Sequence, residues 1–374
     1  MVDFSKVIEN DIELSIYKEK EQEIKNYLTT FGDTSFWEII SKVGGSERRM
    51  LRLLNEMEQN GEISFNKKNN KFYIQGENRK HDNYICENCN ATTMDLKGLR
   101  KLKTKLKKIW DNKPKPTLLF DQRPVTMETS IRRVAYLLSK NDIYKKNVVF
   151  LGDDDLTSVC LAFANDECDI TVFDADERLI NYINDVASTY KLKIVAKVLN
   201  VMDKVPKEYI GKFDVLMTDP TPERIPFTVF TNVAIDLVKP LGVIYTSIYS
   251  TAMSKSMDLQ RVITEMNLYI TEMIPNFTHY QAIYKLYRET DIEMFEKYNV
   301  PFDDNSICFT ETLFRMLKTK ETRKIPINFT LKDMMGKATK RVMKDSSNEV
   351  ADIDGFLKAT MVKMQSEENK IIEG

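Results

Sequence analysis

No apolar run in the chain approaches the roughly 18 residues that a membrane span requires, and the N-terminus, MVDFSKVIENDIE, has no signal-peptide core. Those two absences set the expectation of a cytoplasmic protein with no membrane partner. Neither sign of charge is in excess. The 55 basic residues face 56 acidic ones, whereas a dedicated nucleic-acid binder carries a basic surplus. Five cysteines, an odd number, argue against a disulfide framework and for a reducing compartment. Histidine is nearly missing, and of the two present, His81 and His279, the second is read as structural. What is left is an ordinary globular composition on 374 residues, enough for two domains. Abundant Lys, Glu and Ile with few Gln suits a thermophile.

The first part, residues 1–80, starts with a charged, helix-prone stretch to about residue 29. FWEIISK then reads as a short helix, Gly44-Gly45 as a turn, and Ser46 as the cap of a second helix through Leu54. EISFNKKNNKFYIQG alternates as a hairpin with KKNN at its tip. Helix, turn, helix and hairpin in that order is the pattern of a winged helix. Arg48, Arg49 and Arg52 are interspersed with Glu47, Glu56 and Glu58, so a docking module is preferred over a DNA reader.

Residues 81–116 form a connecting segment. Cys86-Glu87-Asn88-Cys89 is half of a tetrahedral thiolate site with no second half in sequence, so two free thiols are expected and a metal is not. KGLRKLKTKLKKIWDN (97–112) reads as a basic solvated helix, and Lys113-Pro114-Lys115-Pro116 as a linker.

From residue 117 to about 330, short apolar runs alternate with amphipathic stretches. NVVFLG (147–152), DITVFDAD (169–176), KIVAKVLN (193–200), FDVLMTDP (213–220) and GVIYTSIY (242–249) read as strands with helices between them. That alternation predicts an α/β fold, a class I Rossmann-like, methyltransferase-like doubly wound sheet, with ligands beyond the strand C-terminal ends. Residues 331–374 read as a charged tail.

The strand ends carry the chemistry. The first gives Gly152-Asp153-Asp154-Asp155, one glycine and three carboxylates where a nucleotide site usually has several glycines. Helix capping accounts for one such acid and poorly for three; a polycationic or sulfonium ligand accounts for all. Asp174 at the second strand end is placed to bond the two ribose hydroxyls of an adenosyl group, while Asp176 either joins it or starts the next helix. Asn200 and Asp203 follow the third strand, at the position that commonly faces an adenine, or form a plain loop. Asp219, at the fourth strand end in Asp219-Pro220-Thr221-Pro222-Glu223, would stand over the reacting centre and deprotonate an amine nucleophile. Glu289, Asp291, Glu293, Glu296, Asp303 and Asp304 read either as a lid over a polycation or as a solvated helix face.

LGDDDLTS, VFDADERL and FDVLMTDPTPE, in this order and spacing, with FDQRPVTMETSIRRVAYL upstream, resemble the branched-chain polyamine synthases of archaea and thermophilic bacteria. The resemblance implies decarboxylated S-adenosylmethionine as co-substrate, with no tightly bound cofactor. The acceptor it implies is spermidine, alkylated on its internal N4 amine to N4-aminopropylspermidine and then N4-bis(aminopropyl)spermidine, with methylthioadenosine leaving. Asp153, Asp154, Asp155 and Asp219 are then the catalytic candidates, and Gly152, Asp174, Asp176, Asn200 and Asp203 the donor-binding ones. Asp155, Asp219, Thr221 and Glu223 are the candidates for the acceptor. A homodimer is expected. Two positions depart from the family pattern: Asn200 stands where relatives carry an acid, and Thr221-Pro222 where they carry an aromatic.

Charge supports the decarboxylated donor. The carboxylate of intact S-adenosylmethionine would meet the acidic turn, and a like-charge contact at about 4 Å costs roughly 4 kcal/mol at an effective dielectric near 20. The alternative function, an S-adenosylmethionine-dependent amino-methyltransferase acting on nucleic acid, would want an aromatic after the prolines to stack a flipped base and fewer acids facing a phosphate backbone.

Overall fold

The computed structural model describes residues 20–74, 94–117, 120–249, 253–282, 289–302, 306–329 and 331–334. His81, Cys86, Cys89, Asp303, Asp304 and the tail beyond 334 lie outside them.

The N-terminal unit packs three helices, α1 (20–31), α2 (Phe36–Val43) and α3 (Glu47–Gln59), on a small antiparallel sheet. That sheet has the order β1-β3-β2, from Thr34–Ser35, Lys71–Tyr73 and Ser64–Asn66. The local sequence dictates each boundary. Ser35 and Glu38 form a reciprocal capping box at the start of α2, and Ser46 caps α3 through the Arg49 amide. Ile39, Ile40, Leu51, Leu54, Met57 and Phe72 converge in one core.

The remainder is built on a seven-stranded sheet of order β6-β5-β4-β7-β8-β10-β9. Its parallel half comprises β4 (Asn147–Leu151), β5 (Asp169–Asp174), β6 (Ile194–Val198), β7 (Phe213–Thr218) and β8 (Val238–Tyr249). Helices α5 (Met127–Lys140), α6 (Thr157–Ala164), α7 (Glu177–Tyr190), α8 (Arg224–Leu237) and α9 (Met253–Glu265) cover it. Strand periodicity divides the burial between two cores. Val148 and Phe150 of β4 enter one, and Val149 and Leu151 the other. The basic segment before it forms α4 (Arg100–Asp111), whose Leu102, Leu106 and Ile109 join the first of those cores.

Two elements correct the sequence expectation. The sheet is mixed, because β9 (Leu268–Gln281) and β10 (Ile307–Lys318) extend it with antiparallel pairings beyond β8. The run through Glu293 and Glu296 forms α10 (Glu289–Lys297), and it packs on α3 instead of over the ligand edge. Phe295 and Tyr298 bury themselves in the N-terminal core, and Lys297 donates to Asn55 and Glu58. A helix with so large an apolar contact is anchored, whatever charge its other face carries.

The antiparallel turnaround has a geometric consequence. Because β10 runs against β8, its N-terminal half lies at the C-terminal edge of the parallel strands, with Glu311 opposite Tyr249 of β8 and Thr278 of β9. Thr278, Tyr280 and Glu311 therefore arrive at the same edge as the motifs of β4, β5 and β7.

Candidate active site

A cavity of about 540 Å³ opens over that edge. Gly152, Asp154, Asp155, Asp174, Asn200, Asp219, Thr221 and Glu223 line it. Asp153, Asp176 and Asp203 do not.

The β4–α6 turn explains how three consecutive acids are tolerated. Gly152 takes φ +77°, a left-handed conformation that suits glycine, and Leu156, also left-handed, stands at the N-cap of α6 without a capping side chain. Two of the acids supply the caps instead. The Asp153 carboxylate accepts from the Ser158 amide and hydroxyl, and that of Asp155 from the Thr157 amide and hydroxyl. Asp153 is 1% exposed and turned from the cavity. Burial, and then the neighbouring Asp155, push its carboxyl well above the usual range, with the Ser158 contacts opposing. Capping thus absorbs two acids, one more than the sequence pattern allowed; Asp155 still lines the cavity while it caps, and Asp154 is the member that faces the cavity without capping.

Asp154 Oδ2 is buried and has no hydrogen-bond partner among the described residues. Its carboxyl is pushed up to about 8 by burial and by Asp155, against the pull of Lys113. Lys113, read from sequence as part of a linker, comes in from the end of α4. Its ammonium donates to the Asp154 carbonyl at 2.6 Å and sits 4.1 Å from the Trp110 ring centroid.

Asp174 ties two loops together. Its Oδ2 accepts from the Asp153 amide at 3.1 Å and its Oδ1 from the Asp176 amide at 2.8 Å. Burial pushes it up to about 6 despite backbone donors at Asp176, Asp153 and Ala175, and its two oxygens retain lone-pair capacity for a ligand hydroxyl. Asp176 is the N-cap of α7, accepting from the Arg178 amide, and it also pairs with the Arg178 guanidinium and Gln122. Of its two open sequence readings, the structure shows the helix start. Asn200 folds its side chain onto the Met202 amide at 3.0 Å, which shapes the loop after β6. Glu223 is paired with Lys255 at 2.6 Å, and the Thr221 hydroxyl donates to Asp121 of the entry segment at 2.6 Å.

At the end of β7, Asp219 belongs to a buried network. The Arg133 guanidinium, on α5, bridges Asp219 and Asp155. Arg133 is 2% exposed, and although burial opposes its charge, Asp219 and Asp155 together raise its affinity for the proton. The Tyr280 hydroxyl lies 2.6 Å from Asp219 Oδ2 and 3.1 Å from Glu311 Oε2. Asp219 Oδ1 is buried with no donor among the described residues. Burial, followed by Asp219, pushes Glu311 well above the ordinary carboxyl range. Tyr280 stacks on Phe309 at 4.4 Å between ring centroids, giving the cavity an aromatic wall. Arg133, Tyr280, Glu311 and Lys113 were not found from sequence. Arg133 had a signal, two adjacent arginines in an otherwise apolar helix face of IRRVAYL, and so did Glu311, a lone acid in the apolar alternation ICFTETLF.

His279 is buried and bonded to the Asn276 carbonyl; burial, then Arg132, push it down to about 3. It takes no part in the cavity.

A seven-stranded mixed sheet with an acidic cavity over the C-terminal ends of its central strands defines an α/β protein with a ligand site at the strand ends. The chain belongs to the branched-chain polyamine synthase family, as the family model described as the branched-chain polyamine synthase A C-terminal domain matches residues 101–338. The N(4)-bis(aminopropyl)spermidine synthase of Methanocaldococcus jannaschii is 30% identical over 279 residues, covering 72% of this chain and 79% of that one. The enzyme of the same name from Thermococcus kodakarensis is 33% identical over 202 residues, 53% of this chain and 58% of that one. The crystal structure of the branched-chain polyamine synthase from Thermus thermophilus, solved with N4-aminopropylspermidine and 5'-methylthioadenosine, superposes with a TM-score of 0.61 at 20% identity. It covers 80% of this chain and 88% of that one, a likeness of fold.

Proposed function

We propose that the protein transfers aminopropyl groups from decarboxylated S-adenosylmethionine to the N4 amine of spermidine, giving N4-aminopropylspermidine, then N4-bis(aminopropyl)spermidine, with methylthioadenosine released. One observation carries this beyond family membership. Two cavity-lining carboxylate oxygens, Asp154 Oδ2 and Asp219 Oδ1, are buried with no donor among the described residues. A buried acceptor without a partner is costly, and ammonium or amine N–H groups of a polyamine would satisfy both.

The roles follow from position. Gly152 lets the backbone approach the donor, Asp174 offers its free lone pairs to the ribose hydroxyls, and Asn200 borders the adenine. Asp219 Oδ1 accepts the proton of the reacting amine, which must be neutral to attack. Each transfer needs this, because the tertiary amine made first is itself protonated before the second. Asp154 and Asp155 hold the neighbouring charge, and Thr221 and Glu223 bound the acceptor side. Asp153, Asp176 and Asp203 act by shaping the loops. The N-terminal unit, a winged-helix-like docking module in this proposal, places Ser46, Glu47 and Arg48 at the cavity wall. A homodimer in the cytoplasm completes the proposal.

The test is incubation with spermidine and either the decarboxylated or the intact donor, followed by mass spectrometry of the amine. One or two aminopropyl increments with the decarboxylated donor support the function. A methyl increment, or no product, overturns it.

A further inference from the structure

Asp219 can take a proton from the reacting amine, but the two transfers in succession require that proton to leave again. The contacts behind Asp219 show a route. Arg133 and Tyr280 both donate to its Oδ2, while Tyr280 also lies 3.1 Å from Glu311 Oε2. A phenol has one proton to give. Both contacts are satisfied together when Glu311 carries a proton and donates it to Tyr280, which donates to Asp219; the Glu311 carboxyl also meets that of Asp219 directly. Glu311 is 1% exposed in the middle of the edge pairing of β10, where a lone carboxylate would have no reason to be buried.

We propose that Glu311, acting through the Tyr280 hydroxyl, is a positioning and proton-storing residue that works with Asp219 as a one-proton pair. The proposal rests on the aminopropyl-transfer function above. Without ligand the stored proton sits on Glu311, whose carboxyl burial and Asp219 push well above the ordinary range. Arrival of a polycation drives that proton to solvent. The N–H bond of the bound ammonium then breaks, an O–H bond forms on the pair, and the nitrogen keeps its electron pair. That pair attacks the aminopropyl carbon as the C–S bond breaks, its electrons leaving with methylthioadenosine. Emptying the store again readies the pair for the second transfer. The groups facing this pair are Arg133 and Asp155 from α5 and the β4–α6 turn, and Tyr280 from β9. Asp154 faces Asp219, with Asp174 and Lys113 also acting on Asp154, and Glu47 and Arg123 act on Cys308, three residues before Glu311.

The test uses the full chain, saturated with donor and spermidine, in single-turnover quench experiments from pH 6 to 9. E311Q preserves shape but cannot store a proton, Y280F removes the phenol path and leaves the direct carboxyl contact, and E311D restores the carboxyl. The proposal expects E311Q to bind methylthioadenosine within about twofold of wild type. Its first transfer should slow by about 100-fold, with the rising limb of the rate profile displaced by about one pH unit. E311D should recover at least a tenth of the wild-type rate, and Y280F/E311Q should be no slower than E311Q. An E311Q rate unchanged, or lowered equally at every pH with the limb in place, overturns the proposal and leaves Glu311 a packing residue. If E311Q loses methylthioadenosine binding, Y280F and E311D decide by the same criterion of limb displacement. A wild-type enzyme that yields no aminopropylated amine would instead sink the proposed function.

Discussion

Asp154→Asn isolates the charge that the cavity offers to a cation. The amide keeps the shape and one acceptor but can never ionise. With its carboxyl near 8 in the empty site, Asp154 is about 1% ionised at pH 6 and about 90% ionised at pH 9. A buried charge-assisted hydrogen bond to an ammonium contributes about 1.5–3 kcal/mol, or about 10- to 150-fold in affinity. By linkage the same energy lowers the carboxyl by about one to two units in the complex, to between about 6 and 7. The sign is fixed by that direction. The contribution is complete above pH 8 and disappears as pH falls through the bound-state value. Titrating spermidine into methylthioadenosine-saturated protein by calorimetry should therefore give nearly equal wild-type and variant affinities at pH 6. The curves should diverge to about tenfold or more by pH 9, with wild type releasing about 0.4 to 0.8 of an extra proton on binding at pH 7. Parallel curves, or equal affinity at pH 9, would refute the assignment of Asp154 as the open carboxylate.

Three other substitutions separate architecture from ligand contact. Arg133→Met removes the cation between Asp155 and Asp219 and should destabilise the protein by about 3–5 kcal/mol in urea titrations. The loss should be smaller at low pH, where the orphaned carboxylates take up protons. Asp153→Asn replaces a capping carboxyl already pushed toward its neutral form, so stability should move by less than about 1 kcal/mol and the transfer rate by less than about threefold. A hundredfold loss of rate would return Asp153 to the catalytic group. Asp174→Asn keeps one loop contact but weakens the offer to two hydroxyls, and methylthioadenosine affinity should drop by about tenfold with spermidine affinity little changed.

Local pattern made the parallel half of the sheet legible. A strand buried on both faces reads as a continuous apolar run, and NVVFL and FDVLMT both do. The acids at the strand ends were equally visible because topology alone puts strand C-termini at the ligand edge. β9 and β10 were missed for a matching reason. Pro275 interrupts one and polar Thr310, Glu311 and Thr312 the other, so neither looks like a core strand, although register brings Tyr280 and Glu311 to the cavity. Arg133 and Lys113 contribute from a helix and a connection whose sequence separation from Asp219 carries no periodic signal. The aromatic absent from the strand-four motif illustrates the same limit: the cavity has its aromatic wall from Tyr280 and Phe309, on strands that only tertiary pairing places there.

Arginine and lysine beside an acidic site would seem to cancel its attraction for a polycation, and their placement decides whether they do. Arg133 and Lys113 stand behind the wall; neither lines the cavity. Arg133 takes one oxygen of Asp219 and one of Asp155, and the Lys113 ammonium is engaged by a backbone carbonyl and the Trp110 ring. Of the cations that do line the cavity, Lys255 is paired with Glu223 and Arg48 lies 3.6 Å from Glu47, while Arg123 acts on buried Cys308. Without the two backing cations, Asp154, Asp155, Asp174, Asp219 and Glu311 would have to be packed together uncompensated, which no fold of marginal stability tolerates. With them, and with protons held on Asp154 and Glu311, the empty site is neutral enough to fold yet keeps two bare acceptor oxygens. A polycation reaches the first of them by displacing the proton of Asp154, whose carboxyl sits near 8, and leaves the structural ion pairs intact. Raising the pH should therefore strengthen polyamine binding while lowering the stability of the empty protein, opposite slopes that a site merely neutralised by its own arginine would not produce.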